Sequence, residues 1–116
     1  MSQVVIYHNP RCSKSRQTLE LIKENGVEPE IKEYLKDTPS ADELKGVLNA
    51  LGISARALLR TKEQEYIDNN MADTSLTDDQ IIALMIANPK LIERPIVIKE
   101  GQARIGRPPE SVLEIL

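Results

Sequence analysis

A mixed α/β fold is predicted for this 116-residue chain, and three features predict it. An apolar β-branched run is followed by a helix-period segment and then by a second alternating segment. Two Ser/Thr-x-x-Glu/Gln capping boxes each precede apolar residues at helical spacing. Near the C-terminus, two short β-prone runs flank Glu100-Gly101.

The elements follow in order. Gln3 to Tyr7 reads as a buried strand through Val4, Val5 and Ile6. A helix is expected over about Ser13 to Asn25, with Leu19 and Ile22 inward and Gly26 as its C′ residue. Glu30 to Tyr34 alternates polar and apolar and reads as a second strand. Strand, helix and strand at this spacing form a βαβ unit, which implies parallel pairing and a right-handed crossover. Ser40-Ala41-Asp42-Glu43 opens a helix carrying Leu44, Val47, Leu48 and Leu51, which Gly52 stops. Ile53 to Arg60 reads as a short helical piece, and Thr61 to Met71 is polar and ambiguous. Thr77-Asp78-Asp79-Gln80 opens a helix to about Ala87, with Ile81, Ile82, Met85 and Ile86 on more than one side, so it is expected to be well buried. Pro95 leads into a strand at Ile96–Lys99, the Glu100-Gly101 turn leads into Gln102–Ile105, and Pro108 or Pro109 opens a final helix ending at Leu116.

The order is βαβ, a helical insertion at about 40–90, then ββα. This is the order of a thioredoxin/glutaredoxin-like fold: one domain over 1–116, with a mixed four-stranded sheet and the insertion between strands 2 and 3. Composition narrows the function. Net charge is −3 with no basic block, so nucleic acid is not an expected partner. No run approaches the roughly 18 apolar residues of a membrane span, and no signal peptide is read, so a cytoplasmic protein is expected. One cysteine allows neither an internal disulfide nor a cysteine-based zinc site, and no metal is expected.

That cysteine, Cys12, lies in His8-Asn9-Pro10-Arg11-Cys12-Ser13-Lys14-Ser15-Arg16, where the first strand gives way to the first helix. Unpaired amides and the positive end of the helix dipole favour a thiolate there, as do Arg11, Lys14 and Arg16. Cys12 and Ser15 form a C-x-x-S, and the amides of Ser13, Lys14 and Ser15 suit an oxyanion. The turn-forming and charged flanks argue against Cys12 being merely a small buried hydrophobe. A tyrosine-phosphatase reading needs arginine six residues beyond the cysteine, where this chain has Thr18. A cysteine-protease reading needs a histidine base elsewhere, and the only histidine is His8. His8 either favours the thiolate electrostatically or packs and hydrogen-bonds the loop; the sequence leaves both open. Arg60, Arg94 and Arg107 are surface charges if taken singly, although arginine suits bidentate oxyanion binding. Arg94-Pro95 is a candidate cis bond.

The segment Tyr7–Arg16 resembles the active-site signature of the glutaredoxin-coupled arsenate reductase (ArsC) family. So do Gly52–Arg60, Leu91–Val97 and Arg107–Leu116, in the same order along nearly the whole chain. The resemblance implies that the Cys12 thiolate attacks arsenic in arsenate. It implies that Arg60, Arg94 and Arg107 bind the oxyanion and its thio-arsenate adduct; His8 and Ser15, from the reading of the loop itself, are supporting residues. It further implies glutathione as reducing co-substrate and glutaredoxin as partner, with no bound cofactor. With no second cysteine, the resolving thiol comes from outside the chain. The pair Ser13-Lys14 departs from the family's Gly-Thr, and arsenate-resistance enzymes of the family tend to extend further at the C-terminus. Two alternatives stand beside this: a monothiol glutathione-dependent oxidoreductase with little arsenate activity, and an Spx-like regulatory binding protein. Spx relatives usually carry a C-x-x-C, and Ser15 removes that second thiol.

Overall fold

The computed structural model describes residues 3–116. The chain falls into two compact units, one running to Asp37 and resuming over Arg94–Leu116, the other spanning Thr38–Glu93.

The first unit holds a four-stranded sheet: β1 (Val4–Tyr7), β2 (Glu30–Lys32), β3 (Ile96–Lys99) and β4 (Gln102–Ile105), in the order β2-β1-β3-β4. β1 pairs parallel with β2 and antiparallel with β3, and β3 pairs antiparallel with β4, so the sheet is mixed as its sequence predicts. The crossover between β1 and β2 is α1 (Ser13–Glu24). It ends in a Schellman arrangement, with Gly26 at φ 78° and the Val27 amide donating to the Ile22 carbonyl at 3.3 Å. Val4 and Ile6 of β1 cluster with Ile22 of α1, Val97 of β3, and Val112 and Ile115 of the C-terminal segment. Each such side chain contributes roughly 1.5–3 kcal/mol on burial. The β3–β4 turn places Glu100 at φ 52° and Gly101 at φ 76°, the paired positive values of a tight hairpin.

Two expectations are corrected in this unit. The second strand stops at Lys32, because the chain turns back through amides of Lys36 and Asp37 onto the Glu33 carbonyl. Ile31, on this short outer strand, is 45% exposed, while Tyr34 beyond the strand is buried. The C-terminal segment Pro109–Ile115 is a 3₁₀ helix, not an α-helix, yet it buries Pro109, Val112 and Ile115.

The second unit is helical. α2 (Ala41–Leu51) and α4 (Asp78–Ala87) both begin with complete capping boxes, through Ser40 with Glu43 and Thr77 with Gln80. They pack on each other, with Leu44, Val47, Leu48, Ile81, Ile82 and Met85 buried. Between them lie a 3₁₀ turn (Arg56–Leu58) and the five-residue α3 (Gln64–Asp68). The expected helical piece at Ile53–Arg60 therefore reduces to its middle turn. Arg56 fastens the loop after α3 by donating to the carbonyls of Met71 and Asp73, each at 2.8 Å. No helix among the described residues is long and apolar enough to cross a membrane.

Candidate functional site

Cys12 is the N-cap of α1, in extended conformation (φ −93°, ψ 124°), so the first helical amides open toward its side chain. The loop that delivers it is organised by Asn9. The Asn9 carbonyl accepts from the Cys12 amide at 3.0 Å, and its Oδ1 accepts from the Arg11 amide at 3.0 Å. Its own amide donates to Ser15 Oγ at 3.0 Å. Arg16 closes the loop by donating to the Pro10 carbonyl at 2.9 Å. Asn9 was not singled out by sequence reasoning; its place in a turn before a helix was the available signal.

The Cys12 thiol is buried, with 9% of the residue exposed. That burial is the largest single influence and pushes its pKa up. The Ser15 amide, the Arg94 charge, the Lys14 amide and the Arg107 charge act against it, and together they leave the thiol below its ordinary value. No acidic residue sits in the first turn of α1 to oppose them. Arg107 reaches Cys12 directly: one terminal guanidinium nitrogen, Nη2, lies 3.7 Å from Sγ, while Nε donates to the Arg94 carbonyl at 2.8 Å. Both arginines flank cis X-Pro bonds, Arg94-Pro95 as anticipated and Arg107-Pro108 in addition. Between them in the fold, Gly106 donates its amide to the Pro95 carbonyl at 2.9 Å. A Cβ on Gly106 would stand 2.5 Å from Thr18 Oγ1 and 2.8 Å from the Pro95 ring, so this approach needs glycine. Thr18 is fully buried, its hydroxyl donating to the Lys14 carbonyl at 2.8 Å.

His8 and Ser15 meet behind the loop, with His8 Nδ1 2.6 Å from Ser15 Oγ. Burial, aided by Arg16 and Lys23, lowers the His8 pKa and outweighs the opposing pull of Glu33. The imidazole is therefore neutral near pH 7. Ser15 Oγ thus joins the imidazole to the Asn9 amide, from which it also accepts. Of the two roles the sequence left open for His8, the hydrogen-bonding one matches this geometry.

Cys12, Arg94, Arg107, His8 and Ser15 thus come together in the first unit. Arg60 belongs to the second. There its Nη1 lies 2.8 Å from Glu63 Oε1 and its Nε 3.9 Å from Glu93 Oε1, with a quarter of its side chain exposed. Neither glutamate was anticipated, because Arg60 to Glu63 is a turn between helices and carries no helical pairing signal.

Residues 7–115 match the ArsC family model. The chain is 59% identical to the Escherichia coli (strain K12) protein YfgD over 115 residues, covering 98% of this chain and 97% of that one. It is 48% identical to an arsenate reductase of Escherichia coli over 116 residues, covering all of this chain and 82% of the enzyme. Among solved structures, an arsenate reductase from Vibrio cholerae superposes with a TM-score of 0.96 at 54% identity, with 98% of each chain covered. In the thioredoxin-like fold that its sequence predicts, with a lone cysteine capping the first helix, this chain is a member of the ArsC family.

Proposed function

We propose that the protein reduces arsenate to arsenite through Cys12, with glutathione as reductant and glutaredoxin as partner. The observation that carries this reading is the Arg107 guanidinium held 3.7 Å from the Cys12 sulfur and anchored on the Arg94 carbonyl. A thiolate and an arsenate anion repel each other. Cationic forks beside the sulfur offset that repulsion and stabilise charge on the displaced oxygen. Helix-terminal amides of Lys14 and Ser15 add to the same end.

In this reading the Cys12 thiolate displaces one arsenate oxygen, which leaves as water, and forms an S–As bond. A glutathione thiol then replaces a second oxygen on arsenic, again with loss of water. A glutaredoxin thiolate attacks the glutathione sulfur, forming a glutathione–glutaredoxin disulfide and passing two electrons to arsenic, which falls from V to III. Water then releases arsenite and returns Cys12 as thiolate. Arg94 and Arg107 hold the oxyanion throughout, and Ser15 and His8 hold the loop in shape. Arg60 enters as a further oxyanion ligand on the family resemblance alone. The absence of a second cysteine requires the external thiols, which also fits a cytoplasmic setting.

The test is arsenate-dependent NADPH oxidation with glutathione, glutaredoxin and glutathione reductase, beside a Cys12→Ser control. Turnover that disappears in the control supports the reading. Absent arsenate turnover, with activity on a glutathionylated peptide, would replace it with a monothiol oxidoreductase.

A further inference from the structure

A groove of about 190 Å³ opens to solvent on the face of the Cys12 loop that meets the turn after β2. Pro10 and Leu35 give it apolar surface, Arg11 and Lys36 two cations, and Glu33 one anion, with His8 completing the wall. Leu35 is among the few large apolar side chains exposed in the described residues. Lys36 Nζ lies 3.8 Å from Glu33 Oε1, a long, solvated pair that a ligand displaces at little cost. Neither Arg94 nor Arg107 lines this groove, so it is separate from the oxyanion end of the site. Cys12 does not line it either, but one wall is built from His8 to Arg11, the residues that lead directly into Cys12.

We propose that this groove seats the glutathione that resolves the Cys12 adduct, an assignment that rests on the function proposed above. At neutral pH glutathione carries two carboxylates and one ammonium group, and the groove offers two cations and one anion in complement. Arg11 and Lys36 take the carboxylates and Glu33 the ammonium, by charge-assisted hydrogen bonds. Pro10 and Leu35 underlie the peptide backbone. With both charged ends held, the central thiol is presented to the loop that carries the adduct. Its sulfur forms a bond to arsenic while one As–O bond breaks, and the thiol proton leaves with that oxygen as water. No electrons move to arsenic in this step; they follow when glutaredoxin takes the glutathione sulfur.

Two measurements decide this. In the first, S-methylglutathione, which cannot react, is titrated into ¹⁵N-labelled protein. Amide shifts should centre on residues 8–11 and 33–36 and be lost in Lys36→Glu. In the second, Lys36→Glu should raise the KM for glutathione about five- to tenfold at saturating glutaredoxin, with the arsenate KM unchanged. The uncharged thiol 2-mercaptoethanol should not distinguish the variant from wild type. Lys36→Gln should show a smaller change in the same direction. Shifts centred elsewhere, or a glutathione KM equal in all three proteins, would overturn the assignment. Should wild type fail to turn over arsenate, the functional reading fails, and the S-methylglutathione shifts alone then decide the groove.

Discussion

Arg107 Nη2 stands 3.7 Å from Cys12 Sγ across 95 residues of sequence, and Arg107 Nε is tied at 2.8 Å to the carbonyl of Arg94. The side chain that touches the sulfur is thus fixed by the backbone of the other arginine beside it. Arg107→Ala removes one cation near Cys12 and should raise the thiol pKa, shifting the midpoint of the alkylation rate upward. Arg94→Ala should do the same through its own charge. Both variants should bind sulfate and arsenate more weakly while keeping their far-UV circular dichroism. Wild-type anion affinity in both would remove the oxyanion assignment.

His8 is the chain's single histidine, so its ring protons titrate without overlap. Burial lowers its folded pKa below the unfolded 6.5. Between those two values the unfolded chain binds more protons than the folded one. The corresponding stability is therefore complete above pH 6.5 and is lost as pH falls through the folded pKa. NMR should return a value below 6.5, and the melting temperature should fall on acidification through that window less steeply in His8→Gln. A measured His8 pKa above 6.5 would contradict the neutral, Ser15-bonded imidazole.

Ser15 is fully buried and bonded both to His8 Nδ1 and to the Asn9 amide. Ser15→Ala leaves the buried His8 Nδ1 and the part-buried Asn9 amide without that partner, at a cost of about 1–3 kcal/mol. Denaturant unfolding should show this loss. Because Asn9 also accepts from the Cys12 amide, the rate of Cys12 alkylation should fall as well. A fully stable variant with unchanged thiol reactivity would mean that the Ser15 bonds do not organise the loop.

Gly106→Ala tests the close approach beneath the arginines. The added methyl would meet Thr18 and the Pro95 ring, and overpacking of this kind costs about 1–3 kcal/mol. The expected readout is a lower unfolding midpoint together with weaker oxyanion binding, since Gly106 adjoins Arg107. A variant as stable as wild type would show that Thr18 turns aside freely.

Much of this was legible in the chain because local signals and tertiary needs agree. Ser40 with Glu43 and Thr77 with Gln80 mark true helix starts, and Gly26, Gly52 and Gly101 all take positive φ. Cys12 was findable because its turn-forming and charged neighbours contradict a core role. What local pattern does not encode stays hidden in the sequence. The exposure of Ile31 follows from the outer position of β2 in the sheet, which no alternation reveals. Pro109–Ile115 packs on α1 and β4 as a 3₁₀ helix, a form that its apolar spacing does not distinguish from an α-helix. The hydrogen bonds of Asn9 and the ion pairs of Arg60 depend on where the backbone brings partners, and no periodic pattern marks them.

The most direct test of the central claim uses the chain's only thiol. The rate of iodoacetamide alkylation of Cys12 is measured across pH, with and without arsenate, and with no glutathione present. The account predicts a midpoint below that of free cysteine and a slower reaction when arsenate occupies the site. A midpoint at or above free cysteine, with a rate indifferent to arsenate, would contradict it.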